Sequence, residues 1–287
     1  MKKQIDRIVP KPARPGMVGD GFRVYNYIPG GILQARISPF LMLDFNAEFD
    51  FGPSEKLRGV DVHPHKGFET VTIAYKGSVA HHDSTGNSGV INPGDVQWMT
   101  AGSGILHKEY HEESFSKRGG PFEMVQLWVN LPKKYKSVDA HYQPITSGQM
   151  GKVILPNDGV VNVIAGEFNG IKGPATTYSP VNLFDIKLKK GGEVSTTLPS
   201  SYNTALLVIN GKVTVNDKEA SEHSFVLFKN DGEDIEIKAI EDSVVLILSG
   251  EPINEPIVSY GPFVMNTQDE IYEAIKEFQS GKFGTLE

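Results

Sequence analysis

Imidazoles spaced with carboxylates are the chemistry most legible in this chain. His63-Pro64-His65 is an HxH triplet, and His107-Lys108-Glu109 repeats the spacing with a carboxylate in the last place. On an extended strand, residues i and i+2 project to the same face, so each triplet can aim both of its ligands at one ion. Three neutral imidazoles and one carboxylate suit Fe, Mn, Co, Ni or Cu better than Mg or Ca. Four protein ligands on an octahedral ion leave two positions open, as a catalytic centre requires, whereas a closed tetrahedral set would be structural. A lone HxH is more simply read as two surface histidines. The downstream HxE argues against that reading, and so does the distribution. Seven of the eight histidines lie between His63 and His141, and only His223 follows.

The elements that must position these residues are strands. Val71, Ile73 and Tyr75 alternate with Thr70, Thr72 and Ala74, and Val125, Leu127 and Val129 alternate with Gln126, Trp128 and Asn130. Such period-2 runs, and the short apolar runs at 205–209 and 244–248, are bounded by turn signals: Lys76-Gly77, Asn92-Pro93-Gly94, Asn210-Gly211 and Asn230-Asp231-Gly232. The pattern predicts an all-β sandwich or barrel. The sequence of strand, turn, strand, turn recurs weakly in the second half, which favours two small barrels in tandem over one large sandwich. The polar, aperiodic stretch from Lys133 to Gly151 is the expected join. The predicted organisation is an N-terminal metal-binding barrel over 1–135, a linker over 136–150 and a C-terminal barrel without metal over 151–287. A short C-terminal helix is also expected: Thr267 and Glu270 form a capping box, Ile271, Ala274, Ile275 and Phe278 make one apolar face, and Gly281 offers a stop.

Composition removes several alternatives. The chain has no Cys, which excludes disulfide scaffolds, Cys-ligated zinc, iron–sulfur clusters and thiol nucleophiles. With 28 Lys and Arg against 35 Asp and Glu, the formal charge of −7 argues against direct nucleic-acid binding. The N-terminal lysines are followed by Pro10, Pro12 and Pro15 rather than by an apolar stretch, so no signal peptide is expected. No apolar run approaches the ~18 residues of a membrane span. A cytoplasmic location is the expectation.

The wording around the histidines is more specific than their spacing. The segments HPHKGFETVT, INPGDVQWMTAGSGILHKE, QLWVNLP and GEPINEPIVSYGPFVMNT closely resemble the pirin family, over about Ile37 to Gly284 and most strongly from His63 to Pro132. The resemblance implies a bicupin, two tandem cupin β-barrels, with one mononuclear metal in the N-terminal barrel. The metal is usually iron, with Mn, Co, Ni, Cu or Zn as alternatives. The ligands it implies are His63, His65, His107 and Glu109. In most cupins the carboxylate of the first motif binds the metal instead, and Glu69 has that spacing. The pirin pattern selects Glu109 and leaves Glu69 as an acceptor behind a histidine.

Other residues are assigned plainer roles. His81 and His82 face opposite ways on a strand and read first as solvent-facing, with one of them lining the pocket mouth as the alternative. His111 reads as a strand end, and His141 and His223 as incidental. Gly102-Ser103-Gly104 shares the opening of a dinucleotide fingerprint, but no helix pattern follows, so it reads as a tight turn feeding His107. Phe40, Met42, Trp98, Met99 and Trp128 read first as barrel core, with a few of them lining an apolar cavity for one small ligand as the alternative. The resemblance implies quercetin 2,3-dioxygenase activity: a flavonol ring is opened with O2, releasing CO, with Glu109 as ligand or nearby base. The alternative it implies is a non-enzymatic, iron-binding regulator that binds a transcription factor or metabolic enzyme. A monomer is the expected state, with a flavonol and O2 as small-molecule partners and no membrane contact.

Overall fold

The computed structural model describes residues 1–286. The chain forms two compact units, one built from 14–30, 40–147 and 253–286, the other from 1–13, 31–39 and 148–252. Neither unit is a single stretch of sequence, in contrast to the contiguous division expected above.

The histidine-bearing unit consists of β1 (Gly16–Val18), β2 (Phe22–Ile28), β3 (Phe40–Phe51), β4 (Gly59–His65), β5 (Phe68–Lys76), β6 (Val79–Asp83), β7 (Ser88–Ile91), β8 (Val96–Thr100), β9 (Ile105–His111), β10 (Gly120–Asn130) and β11 (His141–Ile145). They make a seven-stranded sheet in the order β11-β8-β5-β10-β3-β2-β1 and a four-stranded sheet in the order β4-β9-β6-β7. The period-2 runs read from the sequence are β5 and β10, neighbours with Val125 opposite Ile73 and Leu127 opposite Val71. The segment 136–150, expected as a linker, contributes β11, whose residues His141 to Ile145 pair with β8. Edge pairing of this kind satisfies backbone groups that a free linker would leave to water.

The C-terminal segment returns to this unit. Its strand Phe263–Met265 lies along the turn after β4, where the Lys66 amide donates to the Pro262 carbonyl and the Val264 amide to the Lys66 carbonyl. Gly67 sits there at φ +88, and a Cβ on it would fall 2.1 Å from the Val264 carbonyl oxygen, so no other residue fits. Lys136, 2% exposed, fastens the same corner. Its Nζ donates to the Gly67 carbonyl at 2.7 Å, Asn130 Oδ1 at 2.8 Å and the Val264 carbonyl at 2.9 Å. The helix Gln268–Gln279 follows with the expected capping box. Ile271 and Ala274 are buried with Leu106, Phe263, Met265 and Phe283, and Lys66 pairs with Glu277 on the helix. The two residues that follow His65 are therefore held from outside the barrel wall, and β4 is held with them.

The other unit has a seven-stranded sheet that begins with Ile5–Val9 paired to Phe225–Phe228, and a four-stranded sheet of Glu193–Thr197, Asp234–Ala239, Val213–Val215 and Lys218–Ala220. One apolar cluster fills it, including Phe168, Phe184, Leu206, Val226 and Phe228. Its histidine, His223, stands at φ +61 in a turn. Among the described residues, no helix is long and apolar enough to cross a membrane.

Candidate metal centre

Two paired strands deliver the imidazoles. His63 and His65 come from β4, and His107 stands directly opposite His63 on β9. The register slips between His107 and Glu109, where Glu109 pairs with Val60. Such irregularities re-aim side chains beside functional sites. The ring centroids lie 4.3 Å (His63–His107), 4.7 Å (His65–His107) and 4.8 Å (His63–His65) apart. One nitrogen from each ring falls within 4.8 Å of the others.

The polar bookkeeping of these rings fits a metal. His107 is wholly buried, yet neither Nδ1 nor Nε2 has a hydrogen-bond partner, and buried His65 lacks one at Nδ1. Leaving such atoms unpaired is costly, and buried polar atoms in native proteins are paired almost without exception. His63 binds the Asp61 carbonyl through Nδ1 at 2.8 Å, which orients its other nitrogen, the usual arrangement behind a metal-bound histidine. Burial holds all three rings below the ordinary histidine range, most strongly His65 and His107. They are neutral at pH 7, the form in which imidazole binds metal.

Glu109 lies next to His107, outside the group that the three imidazoles form. Its Oε2 lies 3.9 Å from His107 Nε2, and its Oε1 is 3.4 Å from the Thr72 hydroxyl. Burial pushes its carboxyl up to about 7, with the Thr72 hydroxyl acting in the opposite sense. Glu69 is placed elsewhere. Residues 69 and 72 project from opposite faces of β5, and Glu69 Oε1 accepts the Thr100 hydroxyl at 2.8 Å. The strand parity that the sequence suggests between His65 and Glu69 is broken by the turn at Gly67, which separates β4 from β5.

A cavity of about 340 Å³ opens onto His63, His65 and Glu109. Its walls are mainly apolar, from Phe22, Val24, Met42, Val60, Met124 and Trp128, with Asp44, Asn46 and Gln126 as polar interruptions. Met42 and Trp128 thus line a ligand-sized space, whereas Phe40, Trp98 and Met99 are buried as expected. Trp128 also packs at 5.3 Å from His65 and at 4.2 Å from Phe68.

The remaining histidines divide. His82 stacks on Tyr110, whose hydroxyl meets its Nδ1 at 2.7 Å. His81 is 6% exposed, not solvent-facing. It stands opposite Glu109 in the β6–β9 register and stacks on Tyr142 from β11. Burial lowers it to about 4. The sequence offers no sign of this, because β11 lies in the stretch read as a linker. His111 is buried among Phe22, Phe51, Phe115 and Phe122, with Nε2 on the Gly21 carbonyl at 2.8 Å.

Both halves of the chain resemble known proteins. The family model described as Pirin matches residues 21–129, and the one described as Pirin C-terminal cupin domain matches residues 183–284. A Pseudomonas aeruginosa protein bearing the provisional name quercetin 2,3-dioxygenase is 48% identical over 267 residues, 93% of either chain. Pirin of Rattus norvegicus is 40% identical over 275 residues, 93% of this chain and 89% of its own. A crystal structure of quercetin 2,3-dioxygenase from Acinetobacter baumannii superposes with a TM-score of 0.95 at 45% identity, covering 100% of both chains. The fold is the bicupin that the motifs imply.

Proposed function

The chain belongs to the pirin family, and from that membership we propose that it is a metal-dependent dioxygenase of quercetin 2,3-dioxygenase type. Its substrate would be a flavonol, opened with O2 to a depside and CO. The observation that carries this reading is the cavity. An apolar, aromatic-lined space of about 340 Å³ reaches the His63, His65 and Glu109 side chains, as a planar aromatic substrate requires.

In this reading His63, His65, His107 and Glu109 hold one divalent ion, Fe(II) first, with Mn, Co, Ni, Cu or Zn as substitutes. The bound ion supplies Lewis acidity and open positions for a substrate oxygen. The chain supplies the rest. Trp128, Phe22 and Met42 hold the rings and keep water away. Glu109 lies beside His107 and can accept the proton that the flavonol 3-hydroxyl gives up, with Thr72 steadying its Oε1. Both atoms of O2 end in the products, so no external reductant is needed.

The test is loss of flavonol absorbance under air by protein loaded with iron, manganese, cobalt, nickel or copper. Anaerobic samples and His107→Ala serve as controls. The expected result is O2-dependent turnover, one metal per chain, and loss of both in the variant. A tightly bound, redox-titratable iron with no turnover on any metal would overturn the dioxygenase reading in favour of a regulatory one.

A further inference from the structure

The cavity wall contains a polar step that the metal centre does not use. Met42, Asp44 and Asn46 alternate along β3 and face the cavity, directly opposite Trp128, Gln126 and Met124 of β10. Asp44 and Gln126 are already engaged. Asn26 Nδ2 donates to Asp44 Oδ1 at 2.7 Å, and Gln126 Oε1 accepts the Thr72 hydroxyl at 2.8 Å. Asn26 is itself locked, donating to the Ile28 carbonyl and accepting the Gly30 amide, so Asp44 is held in place.

Asn46 differs. It is 2% exposed, and both Nδ2 and Oδ1 lack any hydrogen-bond partner. A buried carboxamide with neither end paired is a net cost to folding. The neighbours show that an apolar side chain fits this surface, since Met124 faces it and Met42 lies on the same strand face. Local rules broken without a compensating contact mark functional positions. A carboxamide presents one donor and one acceptor edge, and so matches a neutral hydroxyl or carbonyl better than an ion.

We propose that Asn46, with Asp44 beside it, is a specificity-determining subsite for a second hydroxyl on an extended aromatic ligand. Spacing sets the ligand's length. Gln126 and Thr72 mark the level of Glu109 along the barrel, and Asn46 lies two residues beyond the level of Asp44 and Gln126. At about 3.3 Å per residue the step is about 7 Å. A single-ring catechol is too short to span it, whereas a polyhydroxylated multi-ring phenol reaches both levels. The inference deepens the dioxygenase reading and rests on it for the placement of the first oxygen at the metal.

The test compares two probes, quercetin and 3-hydroxyflavone, which share the 3-hydroxyl and 4-ketone but differ in the other hydroxyls. Affinities are read anaerobically on metal-loaded protein from quenching of tryptophan fluorescence, Trp128 being in the cavity wall. Asn46→Leu is expected to weaken quercetin about tenfold or more while leaving 3-hydroxyflavone within about twofold, because a site that pairs a hydroxyl discriminates strongly for it. Metal content should be unchanged, and the ligand-free variant should melt at a higher temperature than the wild type. Asn46→Met, matched to its neighbours, serves if Leu does not pack. Equal effects on both probes, no effect on either, a lowered melting temperature with discrimination intact, or no flavonoid binding by the wild type would each overturn the subsite. Discrimination without O2-dependent turnover overturns the dioxygenase reading alone. Turnover without discrimination overturns the subsite alone.

Discussion

Glu69 and Thr72 leave β5 on opposite faces, and Thr72 is the one that reaches Glu109. The Glu69 carboxyl is instead buried beside Thr100, on the face that also carries Val71 and Ile73. Two acidic residues could each have served the imidazoles by spacing. The pleat of β5 turns Glu69 away from the face that carries Thr72, because a side chain three positions away cannot share a face, and this favours Glu109 in the proposed site.

The first prediction separates the two carboxylates. Glu109→Gln should lower metal affinity by well over the ~10–100-fold typical of residues behind the ligands, since an amide carries no charge for the ion. Glu69→Gln should keep full metal stoichiometry. Elemental analysis after dialysis against a weak chelator reads both. Metal lost from Glu69→Gln and kept by Glu109→Gln would reverse the assignment.

A second prediction concerns pH. Burial raises the Glu69 carboxyl from 4.5 to about 7, with the Thr100 hydroxyl opposing. The folded protein then holds this proton more tightly than the unfolded chain does. The group's contribution to stability is fully present below about pH 4.5 and is lost as pH rises through 7, up to about 3 kcal/mol. Glu69→Gln keeps the shape and removes the titration. The melting temperature of the metal-loaded wild type should therefore fall relative to that of Glu69→Gln between pH 5 and 7.5. A difference that stays constant over that interval would show that Glu69 does not titrate there.

What was legible in the sequence was local. The HxH and HxE triplets depend on i, i+2 geometry, and the Thr267 capping box on i, i+3, so both are written within a few residues. The unread parts depend on distant pairing. Ile5–Val9 adds to a strand more than 200 residues away in the chain, at Phe225–Phe228. His81 is buried because Tyr142 stacks on it. Glu69 is turned away because a strand ends at His65 and another begins at Phe68. Asn46 is one polar residue in an alternating strand, and its lack of partners is visible only when all its neighbours are placed.

Lys136 supplies a third prediction. Its three hydrogen bonds join the Gly67 turn, the end of β10 and the C-terminal strand Phe263–Met265. Lys136→Met matches the stem but abandons three buried acceptors, a loss of about 3 kcal/mol or more by the usual cost of unpaired groups. With two units in the chain, a single unfolding free energy is not well defined, so the sensitive readout is proteolysis. Chymotrypsin should cut the C-terminal segment at the Tyr260–Gly261 bond several-fold faster in the variant than in the wild type. Unchanged cleavage there would mean that apolar packing around Ile271 and Phe263 alone holds the segment.

Thr72 carries the last prediction. Its hydroxyl lies 2.8 Å from Gln126 Oε1 and 3.4 Å from Glu109 Oε1. One hydroxyl proton cannot serve both acceptors fully, and the shorter contact is the stronger. When Glu109 is ionised its pull on that proton grows, because bonds to charged acceptors are stronger than those to neutral ones. Thr72 thus couples the carboxylate beside the imidazoles to the carboxamide opposite Asp44. Thr72→Val is nearly isosteric, so the cavity keeps its shape while both acceptors lose their donor. Metal affinity should fall about tenfold, the low end for a residue acting through a ligand, with one metal per chain retained at saturation. Thr72→Ser keeps the hydroxyl and should restore most of the affinity. A purely packing role for the side chain predicts the reverse order, with Val close to the wild type and Ser impaired by the missing methyl. Titration of the metal into all three proteins decides between the two orders.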